Sequence, residues 1–395
     1  MIKREKYLKE IRPFYDSDLI KIITGIRRCG KSVILQQIYD EIKKETSNII
    51  YLDFEDAITY KKIGSVDKLL RYVDKNRNEG LCYIFLDEVQ NIKNWASAVK
   101  TLRLHNNSVF ISGSNSKLLS SEFATELSGR YVSFRIRPFV YSELLQYSEE
   151  TGKNVSLVDY LVWGGFPNRC TLINEDETIR YLKDLEDTIV IKDLIKRYRI
   201  KRTDLFIKFV NFVLRNNSRQ LSARSVHKYL KGQGIECSSN TILKYMQHLN
   251  EAYVIEKIPQ YSTKVKRELN YIQKVYNSDV CFNSLKVENK RYDLDHNMEN
   301  VVYNELLFKG YKLESYINGN KEIDFYATKN GKEYYIQVAY SIVDEKAYNR
   351  EMKAFVGLDN NKLKIIITTD EIDYSTSTVR HIKLHDFLLM DDLSV

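Results

Sequence analysis

Gly25-Ile26-Arg27-Arg28-Cys29-Gly30-Lys31-Ser32 is the stretch that decides the fold. Its residues fill every fixed position of GxxxxGK[ST]. An apolar, β-branched run at 20–24 precedes it and a helical pattern at 32–43 follows, which are the two contexts the motif requires. The spacing has a physical reason: glycines let backbone N–H groups wrap phosphates, and a helix N-terminus adds a favourable dipole. The loop of Gly25, Ile26, Arg27, Arg28, Cys29, Gly30, Lys31, Ser32 and Val33 is therefore expected to cradle ATP. Lys31 would reach the β- and γ-phosphates and the Ser32 hydroxyl would ligate Mg²⁺. A glycine-rich turn without a ligand is the alternative, disfavoured by the strand and helix around it.

Downstream, Cys82-Tyr83-Ile84-Phe85-Leu86-Asp87-Glu88 reads as a buried strand ending in two acids. Next to a phosphate loop, Asp87 is expected to hold the Mg²⁺ hydration shell and Glu88 to orient the attacking water, which makes hydrolysis the expected outcome. Short β-branched runs at 20–24, 49–54, 82–86, 109–112 and 131–136 alternate with helical stretches. That alternation predicts an α/β fold with a parallel sheet covered on both faces. Asp53, Glu55 and Asp56 end the second run and read as ordinary loop acids.

With these motifs in place, the first half resembles an AAA-type P-loop ATPase. The resemblance implies a polar sensor, Ser114 or Asn115, in Gly113-Ser114-Asn115-Ser116, and an arginine finger at Arg130 in Leu127-Ser128-Gly129-Arg130. Arg130 would neutralise charge on the γ-phosphoryl oxygens, usually across a subunit interface of a homo-oligomer in such proteins, with action in cis or in trans both open. A surface salt bridge is its other reading. Further segments, Arg137-Pro138-Phe139, Glu143-Leu144 and Gly164-Gly165-Phe166-Pro167, extend the likeness to a family of prokaryotic ATPases in which the AAA-type domain is joined to a restriction-endonuclease-like domain. The expected domains are an AAA-type core at 1–140, a helical lid at 141–202, a winged helix at 203–285 and a small α/β nuclease-like domain at 293–395.

Charge sharpens the third of these. The net charge is +8, but residues 201–292 hold 17 basic and 7 acidic side chains, so this segment carries +10 and the remainder −2. Clustering of that kind suits phosphate neutralisation, hence DNA. The segment reads as three helices followed by a two-stranded hairpin, the winged-helix pattern. In its third helix Ile242, Leu243, Met246 and Leu249 form an apolar stripe, leaving Asn240, Lys244, Gln247 and His248 for a DNA groove. Lys264, Lys266 and Arg267 at the hairpin tip would grip backbone. A solvated face, or a surface that docks protein partners, is the alternative.

In nucleases of the restriction-endonuclease type, a helix Glu, a strand Asp and a Glu-x-Lys on the next strand converge on Mg²⁺. Here Glu305 and Asp324 fit the first two, but the third reads Gln337-Val338-Ala339. With one carboxylate and the lysine missing, the resemblance implies a nuclease fold whose active site is lost. Residual metal-dependent cleavage by Glu305, Asp324 and Gln337 is the alternative.

Composition excludes other classes. At 395 residues, with 43% apolar residues, 15 glycines and 4 prolines, the chain is neither disordered nor low-complexity. Cys29, Cys82, Cys170, Cys237 and Cys281 are scattered without a CxxC pair, which reads as reduced thiols. The charged N-terminus and the lack of any run of about 18 apolar residues point to a cytoplasmic chain without membrane segments. Two functions fit: an ATPase that does conformational work on DNA, or a slow ATP-gated switch that binds protein partners.

Overall fold

The computed structural model describes residues 2–114, 127, 129–172, 174–261, 273–318 and 321–393. All five β-branched runs of the first part become strands: β1 (Ile20–Thr24), β2 (Ile49–Asp53), β3 (Cys82–Asp87), β4 (Asn107–Gly113) and β5 (Tyr131–Arg135). They form one sheet in the order β2-β3-β4-β1-β5, every neighbouring pair parallel. Parallel strands need helices on both faces, and this explains why β1 and β4 are buried at every residue. On one face Ile22, Ile84 and Ile111 pack in a core with Leu69 of helix Val66–Asn76 and Val99 of helix Trp95–Leu104. On the other, helix Lys31–Ile42 buries Ile34, Leu35 and Ile38, and its Tyr39 meets Phe85, which stacks on Phe110 at 4.6 Å. Each such aliphatic side chain contributes roughly 1.5–3 kcal/mol through burial.

The chain packs as two compact units, Met1–Pro138 with Glu251–Tyr253, and Phe139–Asn250 with Val254–Val395. The second unit begins with helices Tyr141–Thr151, Leu157–Trp163 and Glu175–Glu186. Helix Thr203–Arg215, β6 (Arg219–Leu221), helices Ala223–Gly232 and Ser239–Glu251, β7 (Ile255–Ile258) and β8 (Gln273–Asn277) follow. The strands pair antiparallel in the order β6-β8-β7. Ser222 caps its helix as its position suggests, accepting from Ser225 N at 3.0 Å. In helix Ser239–Glu251 the buried stripe is Ile242, Tyr245, Met246 and Leu249, at i, i+3, i+4 and i+7. Leu243, expected in that stripe, is 46% exposed, because Tyr245 takes the inward position.

A five-stranded mixed sheet completes the unit: β9 (Lys312–Asn318), β10 (Lys321–Lys329), β11 (Lys332–Val338), β12 (Leu363–Thr368) and β13 (Val379–Lys383), in the order β13-β12-β11-β10-β9. The β10–β11 turn at Asn330-Gly331 has φ of 51° and 78°, the geometry that favours an Asn-Gly pair in a two-residue hairpin. β11, β12 and β13 run parallel, with helix Glu345–Ala354 between β11 and β12. Long-range polar contacts join these segments: Asn297 Nδ2 donates to Leu161 O at 2.9 Å, and Gly165 N donates to Asp279 Oδ2 at 2.8 Å. Among the described residues, no helix is long and apolar enough to cross a membrane.

Candidate functional site

At the end of β1 the chain turns through Gly25 at φ +147°. A Cβ there would lie 2.2 Å from Ile136 O, so only glycine fits between the loop and the exit from β5. Gly30, at φ +101°, starts helix Lys31–Ile42. Between them Ile26 and Cys29 are buried, with Cys29 Sγ donating to Ile136 O at 3.3 Å. Arg28 is exposed, Val33 half-buried and Ser32 exposed on the first helical turn, and Arg27 pairs with Glu55. Lys31 is 4% exposed; its ammonium donates to Ile26 O at 3.3 Å and lies 3.6 Å from Glu88 Oε1.

Parallel pairing brings the ends of β3 and β4 to the same edge of the sheet as this loop. Asp87 is 2% exposed and held from two sides: Tyr51 OH donates to Oδ2 at 3.2 Å, and Ser112 Oγ donates to Oδ1. Burial, reinforced by the Asp87 charge, pushes the Tyr51 phenol up, so it stays a donor. Glu88, at φ +49°, gives its N–H to Ser112 Oγ at 3.0 Å, and its Oε2 accepts from Ser114 Oγ at 3.4 Å and from Gln90. Lys31, Asp87, Glu88 and Ser114 thus meet in one place, while Asn115 lies outside the described residues. Tyr51 and Ser112 were not foreseen, since nothing in a strand sequence announces which side chain will brace a neighbour's carboxylate. Of the acids after β2, Asp56 caps helix Ala57–Ile63, accepting from Ile58 N and Thr59 N.

A third unforeseen residue is Arg4. It is 1% exposed, lies 4.6 Å over the Tyr7 ring, and donates to Cys29 O and Arg137 O, both at 3.0 Å. It therefore clamps the phosphate loop to the segment after β5. Arg130 is elsewhere. It is exposed and immediately precedes β5, whose Tyr131 stands beside Ile20 at the start of β1. At about 3.3 Å per residue, the length of β1 separates it by about 16 Å from its own phosphate loop.

The donor set fits a magnesium nucleoside triphosphate. A glycine-walled backbone cradle, a buried ammonium, a hydroxyl on the first turn and a braced carboxylate are the groups that phosphates and Mg²⁺ require. The loop from 25 to 33 and Lys31 would hold the phosphates, and Ser32 and Asp87 the metal.

In the second unit, Asn240, Lys244 and Gln247 are exposed on helix Ser239–Glu251. His248 is half-buried, its ring stacked on Tyr198 at 3.6 Å. Lys264, Lys266 and Arg267 lie outside the described residues. The three nuclease-like positions do not all meet. Gln337 Oε1 accepts from Asp324 N at 3.3 Å, and its Nε2 donates to Glu351 at 2.8 Å. Glu305 instead pairs with Lys309 at 2.6 Å on its own helix, Leu294–Phe308. Six residues earlier, on another face of that helix, Glu299 turns toward Asp324 through a shared partner, Lys274 of β8. Burial pushes the Glu299 carboxyl up to about 8; Asp324 adds to the shift, while Lys274 opposes it. For Lys274, burial works against the charge, but the carboxylates around it win and raise its affinity for the proton well above normal. Lys274, 50 residues before Asp324 in the sequence, thus comes to stand beside it, while position 339 holds alanine.

Two family models match the chain, one described as an AAA domain over residues 17–145 and one as a domain of unknown function over 154–288. An uncharacterized protein of Haemophilus influenzae is 32% identical over 381 residues, 93% of each chain. One of Methanocaldococcus jannaschii is 31% identical over 380 residues, 89% of this chain and 82% of its own. Among solved structures, a Walker-type ATPase of Pyrococcus abyssi aligns with a TM-score of 0.51 over 73% of this chain and 96% of that one, at 14% identity, a likeness of fold.

Proposed function

Since the chain belongs to one family with the Haemophilus influenzae and Methanocaldococcus jannaschii proteins and carries an AAA domain, we propose that it is a Mg²⁺-dependent ATP hydrolase. Its hydrolysis would be coupled to conformational work on DNA or a DNA-bound partner. The convergence of Lys31, Asp87 and Glu88 behind a GxxxxGK[ST] loop carries the first part of this reading. Bound MgATP supplies the scissile phosphoanhydride. Lys31 and the loop's N–H groups bind its phosphates, Ser32 and Asp87 bind the metal, and Glu88 accepts a hydrogen bond from the attacking water and orients it. Tyr51 and Ser112 keep Asp87 aimed, and Ser114 does the same for Glu88 as the sensor.

The DNA part rests on the +10 segment and its helix-strand-helix-helix-strand-strand order, which matches a winged helix. Asn240, Lys244 and Gln247 would be the groove residues, and Lys264, Lys266 and Arg267, outside the described residues, would contact the DNA backbone. Neutralising Lys244, Lys264, Lys266 and Arg267 together is expected to weaken DNA binding and flatten the log affinity against log salt slope by about 3–4. Hydrolysis without DNA should not change. Fluorescence anisotropy across a salt series checks this, and an unchanged slope would remove these residues from the interface. If DNA neither binds nor stimulates turnover while protein binding differs between ATP and ADP, the switch reading replaces the motor.

Arg130 belongs to this reading as a residue lent to a neighbouring copy. Specific activity is expected to rise with protein concentration and to fall by about 10³-fold in Arg130→Ala. Mixing Arg130→Ala with Glu88→Gln should restore part of it, since mixed neighbours rebuild intact sites. Failure of the mixture to recover activity excludes a shared site.

A further inference from the structure

Four ionisable side chains from three elements meet inside the second unit. The Lys274 ammonium of β8 lies 2.7 Å from Glu299 Oε1 on helix Leu294–Phe308, and 3.0 Å from Glu322 Oε1 and 2.8 Å from Asp324 Oδ1, both on β10. Two residues apart on one strand, Glu322 and Asp324 share a face. The Lys274 side chain is 4% exposed, Asp324 9% and Glu299 11%. Tyr276, two residues along β8 from Lys274, donates its hydroxyl to Glu299 at 2.7 Å, and Val338 N donates to Asp324 Oδ2 at 3.0 Å.

An ammonium has three N–H donors and no acceptor. Here it donates to Asp324 Oδ1, and Glu299 Oε1 and Glu322 Oε1 stand at ion-pair distance, so three carboxyl oxygens surround the nitrogen. Mg²⁺ would need its oxygens at about 2.0–2.1 Å in octahedral array, a tighter cage than the one closed on this nitrogen. The metal implied by a nuclease-like domain does not fit these residues as they stand: Gln337 is committed to Asp324 N and Glu351, and the point where the carboxylates converge is taken. Among the described residues no group of three or more His, Cys, Asp or Glu is arranged to hold a metal ion.

We propose that the Lys274 ammonium is the resident cation of this carboxylate cluster. It stands where a divalent ion would otherwise be drawn, makes the cluster independent of metal, and ties β8 to β10 and helix Leu294–Phe308. A neutral, shorter side chain at 274 then opens a divalent-cation site that the native chain lacks.

The test is Mn²⁺ binding to the full chain without nucleotide, by equilibrium dialysis, for native protein, Asp324→Asn, Lys274→Ala and Lys274→Ala/Asp324→Asn. Native protein and Asp324→Asn should bind Mn²⁺ alike. Lys274→Ala should take up one further ion, at least about tenfold more tightly than the double variant. Equal binding by Lys274→Ala and the double variant overturns the proposal. So does loss of bound Mn²⁺, or of metal-dependent DNA nicking, when Asp324→Asn is made in the native chain. If Lys274→Ala does not fold, Lys274→Ser replaces it, and the native-against-Asp324→Asn comparison decides metal independence on an intact Lys274.

Discussion

Replacing Lys31 with alanine is expected to lower kcat for ATP hydrolysis by about 10²–10³-fold, the range for removing one preorganised charge from a developing anion. The geometry makes the loss specific. Lys31 is buried at the base of the phosphate loop, 3.6 Å from Glu88, so in the proposed reaction one ammonium would serve both the phosphates and the general-base candidate. A companion variant separates the two roles. Glu88→Gln retains the backbone cradle, Lys31 and Asp87, and should bind ATP normally while losing turnover by a similar factor. Phosphate release at saturating ATP gives kcat, and nucleotide titration gives the affinity. Full hydrolysis by Lys31→Ala would place the site elsewhere.

The largest effect on stability is expected in the second unit, at Gly165→Ala. A Cβ on Gly165 would sit 1.9 Å from Phe139 O and 2.8 Å from Phe139 C, and a backbone carbonyl has no rotamer by which to withdraw. The surroundings are already committed: Phe139 N donates to Gly165 O at 2.7 Å, and Gly165 N is fixed on Asp279. Arg169, through Nε and Nη2, grips the neighbouring Gly164 O at 3.0 and 2.7 Å. Overpacking at such a point costs about 3 kcal/mol. In a unit of this size that lowers Tm by about 6–12 °C. Gly152→Ala is the control: it has φ +72° but nothing within 4 Å of its Cβ, so it meets backbone strain alone and should cost about 1–2 kcal/mol. Calorimetry that finds the two variants equally stable would show that the Phe139–Gly165 approach relaxes without cost.

The two variants probe features of different visibility. The phosphate loop and the Asp87-Glu88 pair are local in sequence, and the first sheet announces itself by β-branched runs at regular intervals; all five strands form within a few residues of those runs. What closes the structure is not local. Gly164-Gly165 reads as a turn, but its partner Asp279 is 114 residues away. Arg4 reads as terminal charge until Cys29 and Arg137 meet it. β6, Arg219-Gln220-Leu221, has no strand signature and is extended because β8 pairs with it. The Leu243 error has a different source: four apolar residues in the helix share a plausible stripe, and only the packing of Tyr245 decides which of them turns inward.

Arg130 stands at one edge of the first sheet and the phosphate loop at the opposite edge. If neighbouring copies share Arg130, a two-fold pair can exchange it only where the one patch both chains present spans the roughly 16 Å between these two ends. A head-to-tail stack meets no such condition, and it has a direction. Such a stack either closes into a ring, in which every loop is served, or stays open, leaving at one terminus a loop that no arginine reaches. Where that stack begins and ends would then set which nucleotide is hydrolysed last.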